Sequence, residues 1–118
     1  MNSPTLIYKI ATRAAYDAAA PTGSFAGMPI DFTDGYIHFS TAEQLAETLA
    51  KHFAGQSDLV LIAVRTADVT ANLKWEVSRG GALFPHLYGG PLTLTAVEWT
   101  APIAVAADGS CALPEAMR

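Results

Sequence analysis

Leu59-Val60-Leu61-Ile62-Ala63-Val64 is an unbroken apolar run between Asp58 and Arg65. It has the length of a strand and lacks the alternation of a half-buried one, so it predicts a central strand covered on both faces. Upstream, Leu45, Leu49 and Phe53 recur every four residues with Ala42 and Ala46 beside them, which puts an apolar stripe on one helix. Ser40-Thr41-Ala42-Glu43 has the Ser-x-x-Glu spacing in which the two side chains cap each other's backbone, so the helix is predicted to start with Ser40 as its cap. Gly55 is placed to close it in a left-handed conformation.

Further out, Leu6-Ile7-Tyr8-Lys9-Ile10 is β-branched and aromatic and predicts a first strand. An alanine-rich helix follows from about Thr12, its N-cap, to Ala20, and Pro21 ends it. Pro21 to Gly35 holds three Gly and two Pro and reads as an irregular excursion bordering a pocket. Tyr36 to Phe39 is a short strand. After the apolar run come Trp75-Glu76-Val77, a Gly-rich Ser78–Gly81, then Leu83-Phe84-Pro85-His86-Leu87-Tyr88 and a turn at Gly89-Gly90-Pro91. Leu92 to Trp99 and Ile103 to Val105 read as strands, with a turn at Asp108-Gly109. Two helices and five or six strands make an α+β chain. With no repeat, low-complexity tract or linker, residues 1–118 are expected to form one domain.

Composition narrows the function. Of 118 residues, 51% are hydrophobic and 15% charged, with a mean hydropathy of +0.25, well away from the disordered regime. Seven scattered Lys and Arg against a net charge of -4 leave no electrostatic footprint for nucleic acid. No apolar run approaches the roughly 20 residues that span a bilayer, and the first residues lack the pattern of a secretory signal, so a cytoplasmic location and no membrane partner are expected. Cys111 has no CxxC or CxxH companion and reads as a small apolar residue.

Strand geometry puts Tyr36, His38 and Ser40 on one face and Ile37 and Phe39 on the other. His38, just before a helix N-terminus, is suited to a hydroxyl or an anion. Ser40 either joins it or only caps the helix. The second cluster is Glu76, Arg79, His86 and Tyr88. There Arg79 could grip a phosphate or carboxylate bidentately, Glu76 could orient a hydroxyl or act as a base, and Tyr88 could stack on a ring. The plainer alternative is a Glu76–Arg79 surface pair with His86 and Tyr88 anchoring loops. His52 reads as a rim histidine. His38, His52, Glu76 and His86 form no HxH, HxxxH or HExxH pair, so no metal site is expected. GxSxG, P-loop and GxGxxG patterns are absent too.

Four motifs in order, Ile7-Tyr8-Lys9-Ile10, Asp34-Gly35-Tyr36-Ile37-His38-Phe39-Ser40-Thr41, Lys74-Trp75-Glu76 and Phe84-Pro85-His86-Leu87-Tyr88-Gly89, resemble the signature of the domain of unknown function 952 family, whose members are small and mostly bacterial. That family is grouped with ADP-ribosyltransferase-like folds, which implies a pair of small, mostly antiparallel sheets splayed around a nicotinamide-dinucleotide cleft. NAD enters as a cofactor through this resemblance alone. By the same resemblance His38-Phe39-Ser40 is similar to a His-x-Ser element that holds a ribose, Tyr88 to a ring beside nicotinamide, and Glu76 to the glutamate that stabilises oxocarbenium-like charge. The chain departs from the pattern in three places: no helix-spaced tyrosine pair is found, Lys74 stands two residues before Glu76 where an acid or glutamine is usual, and Tyr16 replaces an expected Trp. Two readings result. One is a cleft for a nucleotide-like or phosphorylated small molecule, with ADP-ribosyl chemistry as its enzymatic form, and the other is a non-enzymatic ligand-binding or protein-interaction module.

Overall fold

The computed structural model describes residues 4–117, with the side chain of Arg79 outside the described residues. In chain order the elements are β1 (Leu6–Thr12), α1 (Arg13–Ala19), β2 (Ser24–Phe25), α2 (Pro29–Asp34), β3 (Ile37–His38), α3 (Ala42–His52), β4 (Leu59–Arg65), β5 (Leu73–Val77), β6 (Leu83–Leu87), β7 (Leu92–Thr93) and β8 (Val97–Ile103). They build two three-stranded antiparallel sheets, ordered β1-β4-β8 and β3-β6-β5, and a short β2-β7 ribbon. The fold is α+β with small antiparallel sheets and three α-helices among the described residues.

The apolar run supplies the middle strand of the first sheet and is buried along its length. Val60, Ile62 and Val64 face one way, into a core shared with Ile7, Phe25, Ile37, Leu87 and Leu92. Leu59, Leu61 and Ala63 face the other way, against Leu45 and Leu49 of α3 and Tyr8 and Ile10 of β1. Each such aliphatic side chain contributes roughly 1.5–3 kcal/mol by leaving water, and β4 feeds both cores at once. The two sheets meet at one antiparallel bridge, where Tyr8 N–H donates to Ser40 O at 2.8 Å and Ser40 N–H to Tyr8 O at 2.9 Å.

Several expectations need correction. Ser40 is not the cap of α3, because its backbone is committed to Tyr8 and its hydroxyl lies 3.1 Å from Thr48 Oγ1. Thr41 is the N-cap, accepting from Gln44 N–H, and Gln44 Oε1 accepts Thr41 N–H, so the capping box is shifted by one residue. Gln44 Nε2 then reaches Leu83 O at 2.7 Å and ties the helix to β6. The helix stops at His52 with Phe53 at its C-cap; Gly55 does adopt a left-handed φ of 79°, but its N–H donates to Ala106 O. Leu92–Trp99 is not one strand, since a 3-10 turn at Leu94–Ala96 interrupts it, and β8 ends at Ile103 without a further strand at Ile103–Val105. The excursion from Pro21 to Gly35 contains β2 and α2. Pro29 supplies the first residue of α2, Asp31 Oδ2 accepts Met28 N–H at 2.7 Å, and Gly35 ends it at φ 86°. Thr12 does cap α1, accepting Ala15 N–H at 3.1 Å.

Candidate functional site

Alternation along the second sheet sorts its side chains. Ile37, Leu73, Trp75 and Leu87 pack on the core, while Tyr36, His38, Lys74, Glu76, His86 and Tyr88 gather on the opposite face. His38 and His86 are direct cross-strand partners, with ring centroids 5.3 Å apart. Tyr36, just before β3, stacks on His86 at 4.3 Å and also contacts His38 at 4.6 Å and Tyr88 at 5.0 Å. Lys74 Nζ stands 4.7 Å over the Tyr88 ring, at cation–π distance. Of the residues singled out from the sequence, Tyr36, His38, Glu76, His86 and Tyr88 come together on this face, while the Ser40 hydroxyl lies 3.1 Å from Thr48 Oγ1 of α3. The side chain of Arg79, which opens a short 3-10 turn, lies outside the described residues.

Glu76 organises one half of the face. Its Oε1 is 2.8 Å from His86 Nδ1 and accepts the Tyr88 hydroxyl at 2.7 Å. The hydrogen bond from His86, followed by that from Tyr88, holds the Glu76 carboxyl below its ordinary range. The same bond pushes Tyr88 up to about 12, so Tyr88 keeps its proton and donates it to Glu76. With Glu76 on Nδ1, His86 presents Nε2 as the remaining nitrogen, and nothing among the described residues hydrogen-bonds it.

Asp31 organises the other half. Lys9, in the middle of β1, and Asp31 are both buried and form an ion pair with Nζ 2.7 Å and 3.0 Å from the two carboxylate oxygens. Asp31 also accepts Met28 N–H, His38 N–H at 3.0 Å, and contacts His38 Nδ1 at 2.6 Å. Burial alone would raise the Asp31 carboxyl; the His38 bond, the Lys9 charge and bond and the Met28 N–H outweigh it and take it down to about 2. Lys9 moves the other way from what an ion pair alone would cause, because desolvation, its largest influence, pulls the ammonium below its ordinary range. Two short contacts to a carboxylate held ionised by four donors make the charged pair the governing arrangement. His38 completes the chain with Nε2 2.9 Å from Asp34 Oδ2.

Lys9, Asp31 and Asp34 are the residues that the sequence reading passed over as site members. Two signals pointed to them. Lys9 shares the face of Ile7 and Ala11 on a buried strand, where a charge needs a partner. Pro29, Asp31 and Gly35 carry the start and stop marks of a short helix.

Lys9, Asp34, His38 and His86 of these groups border a cleft of about 530 Å³ lined from β1, α2, β3, α3 and β6, with Glu76, Tyr36 and Tyr88 outside its lining. His38, His52 and His86, the chain's three histidines, all reach it, together with Lys9, Asp34 and Ser40. Ile30, Phe53 and Phe84 are among the apolar residues of its wall. A second cavity of about 570 Å³ opens beside Asp68, Asn72 and Tyr88 and holds no histidine. The three histidines converge on the first, and Tyr88 opens on the second. Among the described residues no three His, Cys, Asp or Glu side chains are grouped to hold a metal ion, and no helix is long and apolar enough to cross a membrane.

A family model described as "Protein of unknown function (DUF952)" matches residues 10–100. The chain belongs to the DUF952 family. The DUF952 match takes in both halves of the polar face, from Asp31 to Tyr88, and stops one residue short of Lys9. The crystal structure of protein CC0527 from Caulobacter crescentus has the same fold: TM-score 0.88 at 50% identity, covering 96% of this chain and 98% of that one. A double-mutant form of CC0527 gives 0.87 at 50% identity over the same shares, and its solution structure 0.78 at 52% identity over 90% of each chain. No curated protein matches the chain.

Proposed function

We propose that this DUF952 chain binds a small phosphorylated or nucleotide-like molecule in the cleft between its two three-stranded sheets. The observation that carries the reading is the convergence of all three histidines and a buried lysine on one cleft, in a chain whose net charge is -4. Imidazole N–H groups are donors that phosphate oxygens take, the buried Lys9–Asp31 pair stands behind them, and the apolar wall at Ile30, Phe53 and Phe84 suits the organic body of such a ligand. His86 is the contact residue in this scheme. Glu76 fixes its ring with Nε2 left over, so that nitrogen accepts a hydroxyl proton, or donates to an oxyanion once protonated. Glu76 and Tyr88 are positioning residues.

Transfer at the ribose of a nicotinamide dinucleotide is the enzymatic form of this proposal. It draws on the resemblance to ADP-ribosyltransferase-like folds, on the placing of His38 and Ser40 beside the cleft, and on the aromatic panel of Tyr36 and Tyr88. In that form Glu76 would have to leave His86 and Tyr88 to reach a ribose hydroxyl.

The test is an amide chemical-shift titration of isotopically labelled protein with ADP-ribose, NAD, nicotinamide and inorganic phosphate. We expect shifts clustered at His38, Ser40 and His86 that are lost in His86→Ala. A flat response to all four would remove the nucleotide reading and leave a protein-interaction module in its place.

A further inference from the structure

We propose that His38 marks an oxyanion subsite in this cleft, and that Asp34 occupies it with its own carboxylate at the position where a ligand carboxylate or phosphate would bind. The inference rests on the cleft reading above and assigns the part of the ligand that His38 meets.

The two carboxylates on His38 are not equivalent. Asp31 has a side chain 1% exposed and is fastened by Lys9, Met28 N–H and two groups of His38. The Asp34 side chain is 36% exposed, and its partner among the described residues is His38 Nε2. It is the last residue of α2, next to Gly35 at φ 86°, and it borders the cleft. Asp31 is therefore structural, and Asp34 can swing away by side-chain rotation alone.

Hydrogen-bond arithmetic supplies the charge. Both contacts of His38 are hydrogen bonds only when both ring nitrogens carry protons, because neutral imidazole has one N–H. Lys9 and His38 then bring two positive charges and Asp31 one negative, leaving a single positive charge that Asp34 balances. Moving Asp34 aside exposes an N–H with a net positive charge behind it, flanked in the same cleft by His86 and Ser40. A ligand oxyanion restores the balance and a neutral group does not. The class of ligand is thus a small molecule with a terminal phosphate or carboxylate on an apolar or aromatic body.

Inorganic phosphate and acetate are the probes, titrated into wild type, Asp34→Ala and Asp34→Asn while the His38 ring and amide signals are followed by NMR. Asp34→Ala should bind at least one of the two about tenfold tighter than wild type, the equivalent of ~1.4 kcal/mol, with the largest shift at His38. The stronger of the two probes names the oxyanion. Asp34→Asn keeps the size and loses the charge, so it should tighten binding in the same direction and stands in if Asp34→Ala fails to fold. Equal or weaker binding in the folded variants, or shifts confined elsewhere, overturns the proposal. Failure of the cleft reading looks different: ADP-ribose then leaves wild type unmoved while phosphate still discriminates between wild type and Asp34→Ala. ADP-ribose binding with phosphate indifferent to Asp34 sinks the subsite and keeps the cleft.

Discussion

Replacing Asp31 by Ala removes a carboxylate that accepts from Lys9 Nζ at 2.7 Å and 3.0 Å, from Met28 N–H at 2.7 Å and from His38 N–H at 3.0 Å. The Lys9 side chain is 5% exposed, so the variant leaves an ammonium buried with no counter-charge. Breaking a buried pair from one side costs about 3–5 kcal/mol. With a urea m-value of about 1–3 kcal/mol/M for a small protein, the unfolding midpoint should fall by about one molar or more. The double variant Lys9→Met with Asp31→Leu removes both charges, and it should recover to within about 2 kcal/mol of wild type, because an apolar pair of similar volume offsets the lost attraction. Urea denaturation followed by circular dichroism measures all three proteins. A loss below about 1 kcal/mol in Asp31→Ala, or a double variant worse than the single, would refute the claim that this pair is desolvated and mutually dependent. The same carboxyl sets an acid response. Its folded value of about 2 lies below the unfolded value of ~3.9, so its contribution of roughly 2–3 kcal/mol is full above pH ~4 and disappears as the pH falls toward 2. Asp31→Asn should show a shallower loss of stability over that window.

Leu61→Ala, at a fully buried position of the middle strand, should cost about 2–5 kcal/mol in the same denaturation assay. Thr41→Ala should lose about 1 kcal/mol through the cap of α3 in the same assay, and an unchanged stability would remove Thr41 from the cap. Tyr88→Phe takes one donor from Glu76, so the Glu76 carboxyl should titrate at higher pH than in wild type by carbon-detected NMR; an unchanged midpoint would remove Tyr88 from the site.

How far the sequence reaches is clearest in β4. Six apolar residues of strand length without alternation fit a strand covered on both faces, and hydrophobicity is a property that each residue carries wherever the chain goes. The α3 stripe was legible for the same reason, as was the shared face of Tyr36 and His38, since strand geometry is local. The capping box was legible to within one residue; Ser40 and Thr41 offer the same hydroxyl chemistry, and only the Tyr8–Ser40 bridge between the sheets decides which of them is free to cap. Glu76, His86 and Tyr88 stood out by their density in an apolar chain.

The partners of these groups were settled only by tertiary structure. Lys9 and Asp31 lie 22 residues apart, and their bond exists because β1 carries Lys9 beneath α2. His38 was visible as a candidate, but its two carboxylates come from a helix hidden in a Gly- and Pro-rich stretch that local propensity reads as loop. Side-chain type and alternation belong to the sequence itself. Which charge meets which, and which histidines share a cleft, depends on long-range packing that brings separate elements together, and no local pattern along the chain encodes it.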